Sequence, residues 1–243
     1  SINARVLDRD DLRYDLGIEA SWNKNRLEEL AEGIPPLTGF GFQNRPGYPL
    51  FGLWWPKLTG FKDANNNGTI EPSEVTVTDT AVFNGSTVPT RTLTASNTVG
   101  LFQDRLRFAA LVDFRGGFVS HNVNNLFQCA FVQNCAALHV KDFDLEEQAK
   151  AVAGPRAFAA YAEKADFVKL REVSLTYTLP TSWLTRVRAS QTSIVLTARN
   201  LATWTDFNSW DPENVTSGTD GPNYNFVQLA QPRVYLIRLN LGF

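Results

Sequence analysis

The strongest constraint on the fold is the alternation of apolar and polar side chains in the last stretch of the chain, Pro232–Phe243. Successive side chains of a β-strand point to opposite faces of its sheet, so every second residue shares a face. One face of this predicted strand is apolar to its end and carries Tyr235, Ile237, Leu239, Leu241 and Phe243. The other face turns polar halfway along, at Arg238. A soluble sheet would bury the apolar face in a core, whereas a membrane barrel would turn it toward lipid.

A second alternating stretch, Asp11–Asn23, favours the membrane barrel because of its length. Strands of soluble proteins are mostly about five or six residues long. At about 3.3 Å per residue and a tilt of about 45°, this stretch would cover the roughly 25 Å apolar band of an outer membrane. Its apolar face carries Leu12, Tyr14, Leu16, Ile18, Ala20 and Trp22. A long amphipathic strand in a soluble sandwich is the alternative. The chain also ends on Phe243, as bacterial outer-membrane barrels characteristically do, whereas soluble domains more often end in polar residues.

The composition excludes several classes of protein and leaves the barrel open. The sequence has no run of about 18 apolar residues, which excludes a transmembrane helix. A barrel would not show such a run, because its strands alternate. The formal charge of -2 gives no basic patch and no reason to expect a nucleic-acid partner. The chain has no Met, begins at Ser1 and shows no signal peptide, so we expect a processed piece or a fragment of a longer protein.

The same alternation predicts an all-β chain of about seven antiparallel strands. They are Asn3–Asp8, Asp11–Asn23, Thr90–Val99, Arg105–Phe114, Phe167–Leu179, Thr192–Leu201 and Pro232–Phe243. Long connections are predicted over residues 24–88, 115–166 and 200–231, and short turns over 100–104 and 180–190, the latter with a possible helical turn at Ser182–Val187. The second connection is partly helical by propensity, at Leu145–Ala153 and Arg156–Lys164.

Long and short connections alternate, as they do in outer-membrane barrels with long outer loops and short periplasmic turns. If the C-terminus is periplasmic, the three long connections are extracellular. Seven is an odd number of strands and too few for a usual single-chain bacterial barrel. An open sheet would expose its edges in lipid, so we expect the chain to be part of a larger barrel.

Several segments, in order, carry a resemblance to a known family. They are Trp22–Leu30, Gly47–Gly52, Phe61–Ile70, Phe114–Gly117, Phe167–Pro180, Ala198–Leu201, Trp210–Glu213 and Gln231–Tyr235, of which Phe167–Pro180 is the most specific. Each segment alone is weak, but the ordered set resembles the C-terminal third or so of SusC/RagA-type TonB-linked outer-membrane receptors. The N-terminal plug, the TonB-contacting segment and the earlier barrel strands of that family have no counterpart in this sequence.

The resemblance implies a location and a set of partners. It implies the barrel wall and outer vestibule of an outer-membrane importer of oligosaccharides or peptides. The implied partners are the remainder of the same receptor, with its plug and earlier strands, a SusD-like lipoprotein, and TonB–ExbB–ExbD through the missing N-terminal part. Outer-membrane lipid would surround the strands. Transport would not reside in this chain alone, and no enzyme activity is implied.

One set of residues has the spacing of metal ligands. Positions one, three, five, seven, nine and twelve of an EF-hand-like loop are occupied by Asp63, Asn65, Asn67, Thr69, Glu71 and Glu74. Calcium takes six to eight oxygen ligands, and this spacing would supply side-chain oxygens, the Thr69 carbonyl and a bidentate Glu74, with Gly68 at the sharp turn. We therefore predict a structural calcium ion of weak, extracellular-type affinity. The alternative is an Asn/Gly-rich turn that satisfies its own hydrogen bonds.

Two further sets of residues are candidates for a functional role, and each set also has a purely structural explanation. Cys129 and Cys135 are separated by five residues in a loop-like stretch, and a disulfide between them would indicate an oxidising, extracytoplasmic site. The third connection holds candidate substrate-binding residues, namely Trp204, Phe207, Trp210 and Asp211, the last paired in sequence with Glu213. Its aromatic rings could stack on sugars, and packing of the loop against its neighbours is the stronger alternative. His121 and His139 have no triad partners at recognisable spacing, so we expect both to be solvated or packed.

Two other functions remain open at this point. A secreted, calcium-stabilised β-domain that binds carbohydrate would bury the apolar strand faces against each other. A structural or adhesive outer-membrane surface barrel would lack the plug and the lipoprotein partner. An enzyme has the least support, since no nucleophile and base stand at recognisable spacing.

Overall fold

The computed structural model describes residues 1–180, 183, 191–214 and 224–242, and within them the protein is built mainly from strands. The strands are β1 (Ile2–Arg9), β2 (Leu12–Trp22), β3 (Leu37–Thr38), β4 (Phe42–Asn44), β5 (Gly52–Trp55), β6 (Leu58–Phe61), β7 (Val75–Val77), β8 (Val82–Ser86), β9 (Arg91–Leu101), β10 (Leu106–Gly116), β11 (Val119–Asn122), β12 (Ala162–Lys164), β13 (Phe167–Thr178), β14 (Gln191–Thr205), β15 (Tyr224–Asn225) and β16 (Val234–Gly242). The α-helices are α1 (Val123–Leu126), α2 (Ala136–His139) and α3 (Leu145–Ala153), joined by 3-10 turns at Pro72–Glu74 and Phe158–Tyr161 and a π turn at Phe127–Phe131.

Seven long strands form one antiparallel sheet in the order β1-β2-β9-β10-β13-β14-β16. Each strand pairs with the next long strand along the chain, so the sheet is an up-and-down meander. The predicted antiparallel, all-β barrel segment with seven strands is confirmed. Among the described residues the sheet is not closed, because β1 and β16 are each paired along one edge only.

The turns of the sheet follow from local backbone preferences. The chain reverses direction between β9 and β10 at Phe102, Gln103 and Asp104, which all have positive φ, between 55° and 62°. Arg13 on the neighbouring strand β2 holds the Asp104 carboxylate, which compensates for part of the cost of that backbone conformation. The predicted turn at 100–104 therefore begins slightly later, because Gly100 and Leu101 still pair with β2 and β10. The helical turn predicted at Ser182–Val187 lies outside the described residues apart from Trp183, as does Phe243.

A β-bulge in β13 controls which charges face which side of the sheet. The pairing of β13 with both neighbours shifts between Leu170 and Glu172. Against β10 the extra residue is Arg171, whereas against β14 the extra residue is on β14, between Arg199 and Ala202. With strict alternation, Glu172 would share a face with Leu170. The bulge instead places Arg171 and Glu172 together on the polar side, where they bond Asp113 and Arg199. The bulge thus keeps a carboxylate off the apolar side.

All three long connections leave the sheet at the same end and pack on one another. The first connection contributes β3 to β8, the second contributes β11, β12 and the helices, and the third contributes β15, which pairs in parallel with β11. Most of the buried apolar residues lie here rather than against the sheet; one cluster joins Ile70 and Val75 of the first connection to Ala149, Ala153 and Ala157 of the second. We call this assembly of the three connections the cap.

Three predicted boundaries need correction. Strand β14 extends to Thr205, so the third connection begins later than residue 200, and β10 extends to Gly116. Helix α3 forms as predicted over Leu145–Ala153, but the predicted helix over Arg156–Lys164 is wrong. Phe158–Tyr161 forms only a 3-10 turn, and the last three residues are strand β12, which pairs with β11, because tertiary pairing overrides the helix propensity of an Ala-rich segment.

Candidate functional site

The long sheet has one continuous apolar face that is open to its surroundings. Cross-strand pairing aligns the alternating apolar residues of neighbouring strands, so that Tyr14, Val99, Phe108, Leu175, Leu196 and Ile237 succeed one another on one side. Many of the large side chains are exposed, with Trp22 at 76%, Tyr235 at 70% and Ile237 at 80%. Soluble monomers rarely expose contiguous apolar surface on this scale, which marks a partner or a membrane. The observed strand β2, about 11 residues long, matches the roughly 25 Å apolar band of an outer membrane when tilted.

The apolar face contains one polar residue whose hydrogen bonding is satisfied locally. Asn97 on β9 lies among apolar neighbours, and its side-chain oxygen accepts a hydrogen bond of 2.7 Å from the Tyr14 hydroxyl on β2. An unpaired amide facing hydrocarbon would cost several kcal/mol, in the range of about 2–7. The pair therefore reduces the cost of placing Asn97 on an apolar surface.

The opposite face of the sheet is polar and carries several ion pairs between neighbouring strands. Arg5 pairs with Asp15 at 3.0 Å, and Arg199 pairs with Glu172 at 2.7 Å, both across neighbouring strands. These pairs are exposed, so each contributes little to stability, typically about 0–1 kcal/mol. They give this face the hydrophilic lining that a water-filled lumen requires.

At the cap end, the polar face carries a cluster of six charged groups, which we call the ion cluster; Lys169 and Asp211 are buried in it, whereas Arg115 lies at its exposed border. Its cations are Lys169, Arg171 and Arg115 from β13 and β10, and its anions are Asp113, Asp211 and Glu213. The Lys169 ammonium lies 2.7 and 2.8 Å from the two Asp211 oxygens and 2.9 Å from Glu213. Arg171 bonds both Asp113 and Glu213. Three positive and three negative groups make the cluster neutral as a whole, which is how buried charges are tolerated.

The ion cluster shifts the titration of Glu213. Burial alone would raise the pKa of this carboxyl, but hydrogen bonds from Arg171 and Lys169 outweigh it and lower the pKa to about 2. Glu213 therefore stays ionised at any pH near neutrality. Together with Asp211 it ties the third connection to the barrel wall.

The four candidate substrate-binding residues separate into two groups. Phe207 is buried at 5% exposure against Phe118, Ala165 and Phe167, and Asp211 is buried at 4% in the ion cluster. Their burial favours the packing alternative, because neither presents a surface to a ligand. Trp204 and Trp210 are 57% and 59% exposed. By register Trp204 lies on the apolar face beside Val168, so Trp210 is the one of the four that faces solvent from the cap, and ligand binding by either stays a prediction.

The predicted calcium loop lies between β6 and β7, and its side chains converge on one another. Asp63 accepts hydrogen bonds from the backbone of Asn67 at 3.1 Å and of Gly68 at 2.9 Å. The Asn67 amide lies 2.7 Å from Glu71, and Glu74 accepts from the backbone of Ala64 and Glu71 at 2.8 and 3.0 Å. Gly68 has φ of 78°, a backbone conformation that favours glycine, and a Cβ there would displace the Asp142 carboxylate, which lies 2.1 Å from its position.

The ligand set suits a hard cation, although the loop also bonds to itself. The backbone of Asn67 and Thr69 donates to the side chains of Asn65 and Asn67, at 3.0 and 2.7 Å, as in the turn alternative. No group of three or more His, Cys, Asp or Glu side chains within the described residues is close enough to hold a metal by itself. The potential metal ligands near the turn are carboxylate, amide and carbonyl oxygens, which are the ligands that calcium prefers. The calcium ion stays a prediction.

A buried glutamine docks this loop on helix α3. Gln148, 2% exposed, accepts a hydrogen bond from the Ile70 backbone at 2.9 Å and donates to the Gly68 carbonyl at 3.1 Å. Ile70 itself is 3% exposed and packs on Ala149 and Ala153. The loop is thus fixed to the cap by both backbone and side chain.

The remaining candidates lie within the cap. Cys129 and Cys135 are joined in a disulfide, with their Cα atoms 5.2 Å apart. His121 is buried beneath Phe40 and Trp55, and its Nε2 lies 2.8 Å from the Phe158 carbonyl. Burial lowers the pKa of His121 to about 4, so the ring is neutral and packed, whereas His139 is exposed.

Fold and surface together define a class of protein. A meander of long antiparallel strands with an apolar outer face, a charged inner face and long connections at one end is a section of a β-barrel wall. In the part of the chain that the structure describes, no helix is long and apolar enough to span a membrane.

Comparison with known proteins narrows this class. No protein-family model matches the chain. The chain is 26% identical, over 290 aligned positions that include all of it, to the TonB-dependent receptor P26 of Formosa agariphila. Among solved structures it is similar to a chain of the RagAB peptide importer in the closed-closed state, with a TM-score of 0.77 and 19% identity over 99% of this chain. The open-open state gives a TM-score of 0.75 and 20% identity. The chain spans 28% of the length of each of these relatives.

The resemblance inferred from the sequence segments is therefore confirmed: the chain is similar to the C-terminal portion of SusC/RagA-type TonB-dependent receptors, and it has the RagA barrel fold. These relatives are named as a receptor and an importer, which is consistent with the prediction that the chain is not an enzyme.

Sequence reasoning missed three residues that organise the site. Lys169 and Arg171 lie in the most specific of the resembling segments, but no role was predicted for them. The sequence signal for their role was the presence of two cations on one predicted strand and of two carboxylates, Asp211 and Glu213, in the third connection. Charged residues are rarely buried unless they are paired, so these groups could have been predicted to pair. Gln148 was also missed, although a glutamine amid the Ala-rich face of a helix is a signal of a buried polar contact.

Proposed function

We propose that the chain forms barrel wall and outer vestibule of a SusC-like, TonB-dependent importer in the bacterial outer membrane. The observation that carries the proposal is the exposed apolar face, which has the height of a lipid bilayer's apolar band and lies opposite a charged face. Similarity to a TonB-dependent receptor supports it. In this arrangement the three long connections lie outside the cell, and the apolar face contacts outer-membrane lipid.

The rest of the receptor is the first partner that this proposal requires. The two edge strands of the sheet, β1 and β16, each have one unpaired edge among the described residues, and an unpaired edge is not tolerated in lipid. Further strands of the same receptor would pair there and close the barrel. That part of the receptor would also supply the plug and the contacts to TonB, ExbB and ExbD.

A SusD-like lipoprotein is the second partner that we propose. The cap carries an apolar cluster built on Phe127, whose ring lies 5.1 Å from that of Phe131 and 4.9 Å from that of Phe226. Exposed neighbours extend the cluster, with Val227 at 68% and Leu229 at 76%. Such a cluster on the open end of a barrel suits a lid that covers the vestibule. The transported substrate would be an oligosaccharide or a peptide, held between lid and vestibule.

Calcium would be a structural ion within this vestibule. Asp63, Asn65, Asn67, Glu71, Glu74 and the Thr69 carbonyl would hold it. The ion would neutralise the loop carboxylates and hold the turn that Gln148 docks on the cap. No transport step depends on the ion.

Two neighbouring residues on β16 provide a matched test of the membrane location. Ile237 lies on the apolar face and Leu236 on the polar face, and they are 80% and 43% exposed. Lysine in place of Ile237 would enter the lipid and cost about 2–4 kcal/mol near the bilayer midplane. Lysine in place of Leu236 would face the lumen and cost little. We expect Ile237→Lys to reduce the folded receptor recovered from outer membranes while Leu236→Lys leaves it near wild type.

The need for detergent separates the importer from a secreted soluble domain. Such a domain would bury Ile237 against another apolar face, so Ile237→Lys would destabilise it as well, but its wild type would fold and stay in solution without detergent. Equal tolerance of the two lysines would refute the membrane location. Co-purification of a plug-bearing portion and a lipoprotein with the wild type would distinguish the importer from a structural or adhesive barrel.

A further inference from the structure

A cleft of about 740 Å³ lies where the outer end of the sheet meets the first connection. Its apolar lining includes Trp22, Pro49 and Phe83, and its charged lining is Lys24, Arg26 and Arg91. The cleft therefore combines aromatic surface with three cations and no anionic side chain. That combination suits a ligand with both an apolar part and a negative charge.

The cleft begins at the upper border of the apolar face. Trp22 on β2 pairs with Arg91 on β9, one step beyond the apolar pair Ala20 and Leu93, so Arg91 is the first charge at the end of that face. Strands β2 and β9 are interior strands of the sheet, each paired on both sides. Added barrel strands therefore cannot cover this position.

The rim that carries the cations is fixed by hydrogen bonds. The Asn23 backbone donates to the Thr90 carbonyl at 2.9 Å, and the Leu27 backbone donates to Tyr48 at 2.9 Å. The Asn25 side chain accepts from the Leu50 backbone at 2.7 Å. Lys24 and Arg26 thus project from an ordered segment held between two other parts of the chain.

The positive charge of the cleft is incompletely neutralised. Arg26 lies 3.8 Å from Glu28, and Arg91 lies 3.3 Å from Asp166, and both pairs are exposed. One Asp166 oxygen also accepts the Gly117 backbone at 2.8 Å. Lys24 makes no ion pair with any residue that the structure describes. Three cations against two loosely held carboxylates leave a net charge of +1 for an anion to neutralise.

We infer that this cleft binds a phosphate-bearing lipid of the leaflet that surrounds the barrel. Its acyl chains would lie along Trp22 and Leu93 on the apolar face, and its phosphate would be held by Lys24, Arg26 and Arg91. Aromatic side chains at the headgroup level and cations just beyond them are the usual anchors for such a lipid. The inference rests on the proposed membrane location, since only there does the apolar face meet acyl chains.

The test compares two lipids that differ only in the phosphate. The complete receptor is purified in neutral detergent and titrated with dimyristoyl phosphatidic acid or with dimyristoylglycerol, and bound lipid is counted by native mass spectrometry. The test variant is Lys24→Gln/Arg26→Gln, and Lys24→Gln alone is the milder variant, because Lys24 has no described partner to lose. Lys57→Gln/Lys141→Gln is the matched control, since both lysines are exposed on the cap and neither lines the cleft.

Each cation near a headgroup contributes about 1 kcal/mol, which corresponds to about a fivefold change in affinity. We expect the wild type and the control to retain phosphatidic acid over dimyristoylglycerol, the single variant to bind about fivefold more weakly, and the double variant about 25-fold more weakly. Unchanged retention in the double variant would overturn the inference, as would equal retention of the two lipids. Displacement of the lipid by inorganic phosphate alone would assign the cleft to a free anion instead. If the membrane location itself is wrong, the wild-type protein will stay in solution without detergent or Ile237→Lys will be tolerated, and lipid titration affects neither result.

Discussion

Replacing Lys169 with Met tests whether the ion cluster anchors the third connection to the barrel wall. Met nearly preserves the length of the side chain but removes the charge that lies 2.7 Å from Asp211, and both side chains are almost fully buried, at 4% and 6% exposure. Breaking a buried pair by removing one partner costs about 3–5 kcal/mol, because the other charge is left without compensation. That cost corresponds to a local opening constant higher by about two to three and a half orders of magnitude.

Hydrogen exchange measures this opening directly. The backbone amides of Glu213 and Asn214 are bonded to Asp211, at 2.9 and 3.3 Å, so their protection reports whether the anchor is closed. Arg199→Met is the matched control, since the Arg199–Glu172 pair has the same 2.7 Å separation on the same face but is 53% and 34% exposed. An exposed pair is worth about 0–1 kcal/mol, so we expect at most about a fivefold change in the control.

The double variant Lys169→Met/Asp211→Asn provides the decisive comparison. It removes both charges, and the penalty for an isolated buried carboxylate disappears with them. We therefore expect the double variant to recover most of the protection that Lys169→Met loses. Equal exchange in Lys169→Met and Arg199→Met, or a double variant as open as the single one, would refute the anchoring role of the cluster.

Three further predictions concern the stability of the ion cluster at low pH, calcium binding by the loop from Asp63 to Glu74, and the packing of that loop on helix α3. The pKa of Glu213 is about 2 in the folded protein, so the stability that its ion pairs contribute is complete above the unfolded pKa of 4.5 and is lost as pH falls from there toward 2. Hydrogen exchange of the third connection, measured as a function of pH, should show this loss of protection. In Glu213→Gln the protection should depend much less on pH over the same range. Calcium should raise the midpoint of thermal unfolding of the cap in the wild type and in Thr69→Ala, which keeps its backbone carbonyl, but not in Glu74→Ala; equal responses would exclude the loop as the site. Gln148→Leu leaves the buried Ile70 amide without its acceptor and the Gly68 carbonyl with only the longer bond from the Asp142 backbone, so we expect about 1–3 kcal/mol less protection of the loop. Unchanged exchange there would contradict the docking contact.

The strands of the long sheet could be predicted from the sequence because the alternation of apolar and polar residues within each strand indicates which of its faces is apolar and which is polar. Leu12 to Trp22 alternate without a break, and strands facing lipid on one side and water on the other require that alternation along their whole length. The bulge at Arg171 could not be predicted in the same way. A bulge depends on the register of two neighbouring strands, and that information is not contained in β13 alone.

The cap was harder to predict, for a different physical reason. Its contacts join residues far apart in sequence, such as Lys169 with Asp211 and Ile70 with Gln148. Propensity describes only local preference, so the segment Arg156–Lys164 was predicted as a helix, although its last three residues pair with β11 as a strand. The ligand spacing of the loop from Asp63 to Glu74 was readable because those residues are local, whereas the burial of Phe207 and Asp211 was not.

The assembly of the cap from all three connections has a consequence for the order of folding. Strand β15 reaches β11 across about a hundred residues of chain, and Asp211 reaches Lys169 only if β13 and β14 are correctly aligned. A slip of one residue in that alignment would move Lys169 to the other side of the sheet. The cap can therefore close only on a correctly registered wall, and contacts this distant in sequence form late and slowly. Closure of the cap would thus depend on prior alignment of β13 with β14.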